Sequence, residues 1–445
     1  MSMSNNENNE IRDSFTSKTG FILACIGSAV GMGNIWLFPY RVGQFGGAAF
    51  LIPYIIFIVL LGYTGLMGEF AFGRMTQTGP IGSFKKALET RNKSWGGFLG
   101  IIPVIGAFGI AVGYAVVVGW FLRFLGGFIT GSAMSAADSG AYFGELASPF
   151  GSIIWHLLAL ILVSIVLISG ISKGIETMNK IMMPAFYILF VIVMVRVFML
   201  DGAFEGIKYL VVPKWSSLME PKTWIYALGQ AFFSLSLAGS GMIVYGSYLK
   251  RDVDIMSSAK NTVIFDTLGA FLAGLVIIPA VFAFNLDPAS GPPLLFITIP
   301  SVFKLMPFGR LFGVIFFISV LFASITSLMN LLEVPIEAVQ STFKLKRKLS
   351  VFIVVGAAFI FGLFAEDGNN LGVLMDFVSI YIIPIGAFIA AVMFFWVIGI
   401  EKAKCEIECG TDKKLGKLFE ISAKYVFVFL TIFVFIAGIL LGGIG

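Results

Sequence analysis

The chain has 445 residues, of which 58% are hydrophobic and only 12% are charged, and its formal net charge is +5. A soluble domain carries about 25% charged residues, so this composition excludes a water-soluble globular protein and points to a chain that crosses a membrane many times. Three cysteines (Cys25, Cys405, Cys409) give no disulfide framework, and C-x3-C with no histidine nearby is a weak metal signal. The positive charge bears on membrane topology, so the expected partner is a lipid bilayer and not a nucleic acid.

The first 20 residues are polar and lack the apolar stretch of a signal peptide, which reads as a cytoplasmic N-terminal tail. Apolar runs then predict eleven transmembrane helices, at 21–43, 48–72, 97–129, 152–170, 178–200, 223–248, 261–285, 309–341, 350–365, 371–399 and 422–443. His156 opens the fourth span and is expected at the interface. Lysine and arginine concentrate after the even spans: Lys85, Lys86, Arg91 and Lys93; Lys173 and Lys180; Lys250, Arg251 and Lys260; Lys344, Lys346, Arg347 and Lys348; then Lys402, Lys404, Lys413, Lys414 and Lys417. The loop 130–151 has neither residue. By the positive-inside rule the N terminus is expected in the cytoplasm and, after an odd number of spans, the C terminus outside a plasma membrane. The proline-rich stretch 286–308 is predicted to be a partly helical external loop.

Two spans are poor helices at their centres. Residues 27–34 read GSAVGMGN, and each of Gly27, Gly31 and Gly33 costs about 1 kcal/mol relative to alanine in a helix. Lipid does not tolerate unpaired backbone groups, so an unwound stretch at that depth must line a cavity or bind something. Five spans later Ala238-Gly239-Ser240-Gly241 interrupts the sixth helix in the same way. Two breaks at corresponding positions are the signature of an inverted repeat with its binding site at the interface. The expected organisation is a tail at 1–20, five-helix repeats at 21–200 and 201–399, and a cytoplasmic loop with the last helix at 400–445.

On these helices lie G-S-A-V-G-M-G-N-I-W-x-F-P-Y (27–40), G-G-A-A-F-L-I-P-Y (46–54), G-E-F-A-F-G-R (68–74), G-Q-A-F-F-S-L-S-L (229–237), D-T-L-G-A-F-L-A-G (266–274) and F-A-S-I-T-S-L (322–328). In this order the motifs resemble the neurotransmitter:sodium symporter family over nearly the whole chain. The resemblance implies an all-α, polytopic, leucine-transporter-like fold with a 5+5 inverted repeat and two sodium sites. One site would use the carbonyls of Gly27, Val30 and Ala323 with the hydroxyls of Thr326 and Ser327. The other would use the Ala29 carbonyl, Asn34, Ser234, Asp266 and a carboxylate of the substrate.

For an amino-acid substrate, the resemblance places the carboxylate at the amides of Met32 and Gly33 and the hydroxyl of Tyr114. The ammonium would meet the carbonyls of Ala29 and Phe233 and the hydroxyl of Ser236. Ile110, Gly239, Ser240, Ser327 and Leu331 would shape the side-chain pocket, with Phe233 as its lid. Read alone, several of these residues have plainer explanations. The glycines suit a close-packed helix face, Thr326 and Ser327 suit bonds to their own helix, and Asn34 or Tyr114 suits bridging between helices.

Departures from the family pattern carry expectations of their own. Leu37 stands where an arginine usually pairs with the aspartate matched by Asp376, and Arg41 lies one turn further along. Gly239 replaces a bulky pocket residue, which leaves room for a large side chain. Asp266 stands where some relatives have asparagine; Tyr54, Gln230 and Ser234 match part of a chloride site, and a fixed carboxylate makes chloride unnecessary. Gly174 and Pro184 match a G-x9-P pattern linked to sodium exit, although a proline also makes a static kink. Arg12 and Phe15 resemble an N-terminal latch. The implied activity is sodium-coupled symport of a neutral, hydrophobic or aromatic L-amino acid by alternating access. The alternative is an amino-acid-binding membrane sensor or channel on the same scaffold; no nucleophile–base pair supports an enzyme.

Overall fold

The computed structural model describes residues 13–237, 240–288 and 294–444. Arg12 and Gly239 lie outside the described residues. The first broken span comprises α1 (Lys18–Ala29) and α2 (Gly33–Gln44), which meet at 51°. Then follow α3 (Ala48–Thr76), α4 (Pro80–Glu89), α5 (Gly96–Thr130), α6 (Ile153–Ile168) and α7 (Ile171–Phe198). The second break separates α8 (Pro221–Ser234) from α9 (Gly241–Ser247). The chain continues through α10 (Ile255–Ala283), α11 (Gly309–Phe343), α12 (Arg347–Phe364), α13 (Gly368–Glu408) and α14 (Lys417–Leu441). Among the described residues, eight helices are long and apolar enough to span a membrane, and the bent pair makes nine. With the shorter apolar α6 and the α8/α9 pair, the order and positions are consistent with the eleven predicted spans.

Burial separates centre from periphery. The most apolar stretches of α5 and α11 are 67% buried inside the protein, whereas those of α12 and α14 are 28% buried. The outer helices therefore turn Ile154, Ile165, Phe352 and Phe429 outward, all exposed. An apolar surface this extensive is incompatible with water and fits hydrocarbon. The two long helices pack along each other, with α1 and α10 against the same core.

At the end of the bundle where α1 begins, charged residues tie the helices together. Arg74 is fully buried, donates to Glu406 Oε1 at 2.6 Å and to the Val253 carbonyl at 2.7 Å, and so fastens α3 to α13. Glu333 accepts from Arg347 at 2.8 Å and from Tyr248 at 2.8 Å. Glu176, buried at the start of α7, accepts from Thr16 N (2.7 Å), Thr16 Oγ1 (2.8 Å), Ser17 Oγ (2.8 Å) and Lys180 (2.7 Å). Phe15 is buried here too, edge-on to Phe21 and Tyr245.

The structure corrects two sequence expectations. His156 is fully buried rather than interfacial, and its Nδ1 lies 3.2 Å from Glu366, a partner 210 residues away that hydropathy does not reveal. The tenth span stops where expected, at 399: Gly399, with φ 99°, interrupts α13 there, and a separate helical segment Ile400–Glu408 follows with Ala403 and Ile407 buried. The fifth span begins at Ile171, earlier than expected, through a wide-turn segment Ile171–Glu176 in which Glu176 is held by Thr16, Ser17 and Lys180. Within the stretch 286–308, the described part contains the expected short helix, Thr298–Leu305.

Candidate functional site

The site grows from the interruption between α1 and α2. In an unbroken helix the amides of Gly31 and Met32 would bond to the carbonyls of Gly27 and Ser28. Instead Gly31 N donates to Asn34 Oδ1 at 3.3 Å and Met32 N donates to Tyr114 Oη at 3.0 Å. The Ser28 carbonyl accepts from Ser236 Oγ (3.0 Å) and Ser327 Oγ (3.2 Å), which join both broken helices to α11. Gly31 is obligatory at this crossing: a Cβ there would lie 2.4 Å from Tyr114 Oη and 3.0 Å from Ser327 Oγ.

Asp266 on α10 organises the first polar cluster and is fully buried. Its Oδ1 accepts from Asn34 Nδ2 at 2.8 Å and its Oδ2 from Ser234 Oγ at 2.9 Å; Asn34 Nδ2 also reaches the Asp266 carbonyl at 3.0 Å. Tyr54 lies 3.4 Å from Ser234 Oγ, and Gln230 Nε2 donates to the Gly33 carbonyl at 2.8 Å. Among the described residues no lysine or arginine pairs with Asp266. A buried carboxylate without a countercharge is costly by several kcal/mol. This set of carboxylate, amide and hydroxyl oxygens beside unwound backbone fits a hard cation.

The second cluster faces α1 from α11. Gly27, Val30 and Ala323 are buried, with Thr326 and Ser327 beside them. Thr326 Oγ1 donates to the carbonyls of Phe322 (3.0 Å) and Ala323 (2.9 Å), so its proton serves its own helix, as the plainer reading anticipates. Its lone pairs remain acceptors, and Ser327 already reaches across to α1. Among the described residues no three His, Cys, Asp or Glu side chains cluster as a transition-metal site would require.

Between the clusters lies a cavity lined by Ala29, Met32, Gly33, Ile110, Tyr114, Phe233, Ser236, Ser327 and Leu331. It offers about 50 Å³ to the centres of water molecules, where one water needs ~10–15 Å³. Phe233 and Ile383 also line a neighbouring cavity that contains Asp376, so they form the partition between the two spaces. Ser240 is not on the cavity wall; it is buried at the start of α9 in a left-handed conformation, φ 54°.

The cavity also recruits Gly31 and Gly241 from the two breaks, and Asn330, Val334 and Ile383, which the sequence reading missed. Helical spacing was the available signal for two of them: Asn330 and Val334 follow Ser327 at i+3 and i+7, on one face of α11. Arg41 does not reach Asp376. It bonds Gln44 at 3.0 Å and lies 4.3 Å over the ring of Tyr226.

Broken helices, a central cavity and oxygen clusters at the breaks define a multi-pass secondary transporter. The sequence profile of the sodium:neurotransmitter symporter family matches residues 12–134 and 143–441, and the chain belongs to that family: it is a sodium-dependent membrane transporter of a small molecule, not an enzyme. It is 36% identical over 432 residues to the uncharacterized sodium-dependent transporter YhdH of Bacillus subtilis, covering 94% of each chain. The sodium-dependent serotonin transporter of Drosophila melanogaster is 28% identical over 479 residues, covering 95% of this chain and 76% of that one. Among solved structures, MhsT in complex with L-phenylalanine superposes with a TM-score of 0.87 at 34% identity, over 96% of this chain and all of that one. The fold is therefore the leucine-transporter-like one expected from the motifs.

Proposed function

We propose that this protein is a symporter for a neutral, hydrophobic or aromatic L-amino acid that couples uptake to sodium at two sites. The first site is formed by the Ala29 carbonyl, Asn34, Ser234, Asp266 and the substrate's carboxylate. The second is formed by the carbonyls of Gly27, Val30 and Ala323 with Thr326 and Ser327. The observation that carries this reading is Asp266: a fully buried carboxylate with two hydrogen bonds and, among the described residues, no cationic partner, set beside unwound backbone.

The substrate's carboxylate would lie against the amides of Met32 and Gly33, where the start of α2 presents a positive dipole end. Tyr114 now holds the Met32 amide, so binding would exchange that contact for the ligand's. The ammonium would face the carbonyls of Ala29 and Phe233 and the hydroxyl of Ser236. Ile110, Ser327 and Leu331 give the side chain an apolar seat, and Phe233 would close it from the Asp376 side. Gly239 belongs to this pocket in the same proposal, whereas Ser240 does not. The structure of a relative with L-phenylalanine bound supports the substrate class.

Coupling follows from shared ligands. A substrate carboxylate that completes a sodium shell raises the affinity of each ligand for the other by the same factor. The fixed charge of Asp266 makes chloride unnecessary. By the distribution of lysine and arginine, the Phe15 end faces the cytoplasm of a plasma membrane, and the halves 21–200 and 201–399 rock against each other.

The test is a stability screen of the twenty amino acids in sodium against potassium, followed by uptake into liposomes. Stabilisation grows as RT ln(1 + [L]/Kd), so the substrate stands out only in sodium. Accumulation without a sodium gradient would refute the symporter; sodium-dependent binding with no accumulation would favour a sensor.

A further inference from the structure

Beside the second proposed sodium site, α7 carries an oxygen with nothing to bind. Asn179 is fully buried, and its Nδ2 donates to the Ile175 carbonyl of its own helix at 2.8 Å. That bond leaves Oδ1 without a hydrogen-bond partner among the described residues. Oδ1 is pressed against α1 at Gly27: a Cβ on residue 27 would lie 2.0 Å from it, 2.8 Å from Thr326 Cβ and 3.0 Å from Met183 Sδ. Glycine at 27 is thus what lets the amide oxygen approach the backbone whose carbonyl is proposed to hold sodium.

We propose that Asn179 Oδ1 is the oxygen that receives sodium as it leaves the shell of Gly27, Val30, Ala323, Thr326 and Ser327 toward the cytoplasm. This rests on the site assignment above. A dehydrated sodium ion moves only where oxygens replace those it leaves, and the neighbouring Met183 offers a soft thioether that suits such an ion poorly. Asn179 lies five residues after Gly174 and one turn above Glu176, whose bonds to Thr16 and Ser17 fasten α7 to the beginning of α1. Parting of that fastening would separate α7 from α1 at this level and turn the unpaired oxygen toward the opening. Asn179 therefore acts on the release step and not on equilibrium binding.

Asn179→Leu removes the oxygen and keeps the branched four-atom skeleton of the side chain, at the cost of bulkier methyl groups. In proteoliposomes, with the amino acid selected by the stability screen as probe, net uptake should turn over about tenfold more slowly. The half-saturating sodium concentration should stay within about twofold. Exchange of internal for external substrate under symmetric sodium, which needs no sodium release, should be spared. Equal loss of exchange and net uptake would reduce Asn179 to a packing residue and overturn the proposal. So would a raised half-saturating sodium concentration at normal turnover, or no change at all. If the leucine variant does not fold, Asn179→Ala removes the oxygen without added bulk and is read in the same way. The underlying site is tested separately: sodium-driven uptake that survives Thr326→Val with Ser327→Ala would show that the site itself is misplaced.

Discussion

Replacing Asp266 by asparagine removes one charge and little else. Asparagine keeps an oxygen for Asn34 and offers an amide where Ser234 Oγ now donates, so the frame at 2.8 and 2.9 Å can persist with one bond reversed. A carboxylate ~4 Å from a cation contributes about 4 kcal/mol at an effective dielectric constant near 20. At ~1.4 kcal/mol per decade, that sets a ceiling of roughly a thousandfold in sodium affinity. The amide retains its oxygen as a ligand, so the expected loss is at least about tenfold. The ion-free protein should meanwhile gain stability, because an uncompensated buried charge is gone. The assay is thermal unfolding during a sodium titration, with choline holding the ionic strength. A tenfold loss at a concentration initially 100 times Kd lowers the stabilisation from about 2.7 to about 1.4 kcal/mol. A half-saturating sodium concentration unchanged within about twofold would refute the assignment of Asp266 as the countercharge.

Further outcomes follow from the same geometry. Thr326→Val with Ser327→Ala should abolish sodium-driven uptake while the protein still folds, as read by uptake in liposomes and thermal unfolding; normal uptake would exclude these hydroxyls as ligands. Uptake by the wild type should persist when gluconate replaces chloride, and its loss would show that Asp266 does not substitute for an anion. Glu176→Gln weakens charge-assisted bonds to Thr16, Ser17 and Lys180, each worth ~1.5–3 kcal/mol. In a Cys405→Ser, Cys409→Ser background, maleimide should then label the buried Cys25 of α1 about tenfold faster; an unchanged rate would show that Glu176 does not hold this end closed.

Much of the fold was legible along the chain because its causes are local. Apolar run length fixes which segments can cross a bilayer, and glycine clusters fix where a helix cannot continue. The glycine-rich stretch 27–34 marked the first break, and α1 ends within it at Ala29, two residues before Gly31. Motif order then sufficed for the family. Most of the cavity lining was also readable, but through the family resemblance: Ile110, Tyr114, Ser327 and Leu331 lie on α5 and α11, away from either break. Asn330 and Val334 escaped notice although their spacing along α11 was visible.

What the sequence could not supply was partnership across distance. Asn34, Ser234 and Asp266, which only the family resemblance groups, come from three separate spans and meet where α2, α8 and α10 pack around the cavity. His156 looks like an interfacial residue until Glu366 is brought beside it. Arg41 sits one turn from the missing gate arginine, yet the ring of Tyr226, rather than Asp376, takes its charge. Asn179 is an ordinary polar residue on an apolar helix until the bare backbone of Gly27 is pressed against its oxygen. Hydropathy and backbone propensity are properties of neighbours in sequence, whereas a buried polar group is satisfied or orphaned by whichever helix lies opposite, and only the packed bundle determines that.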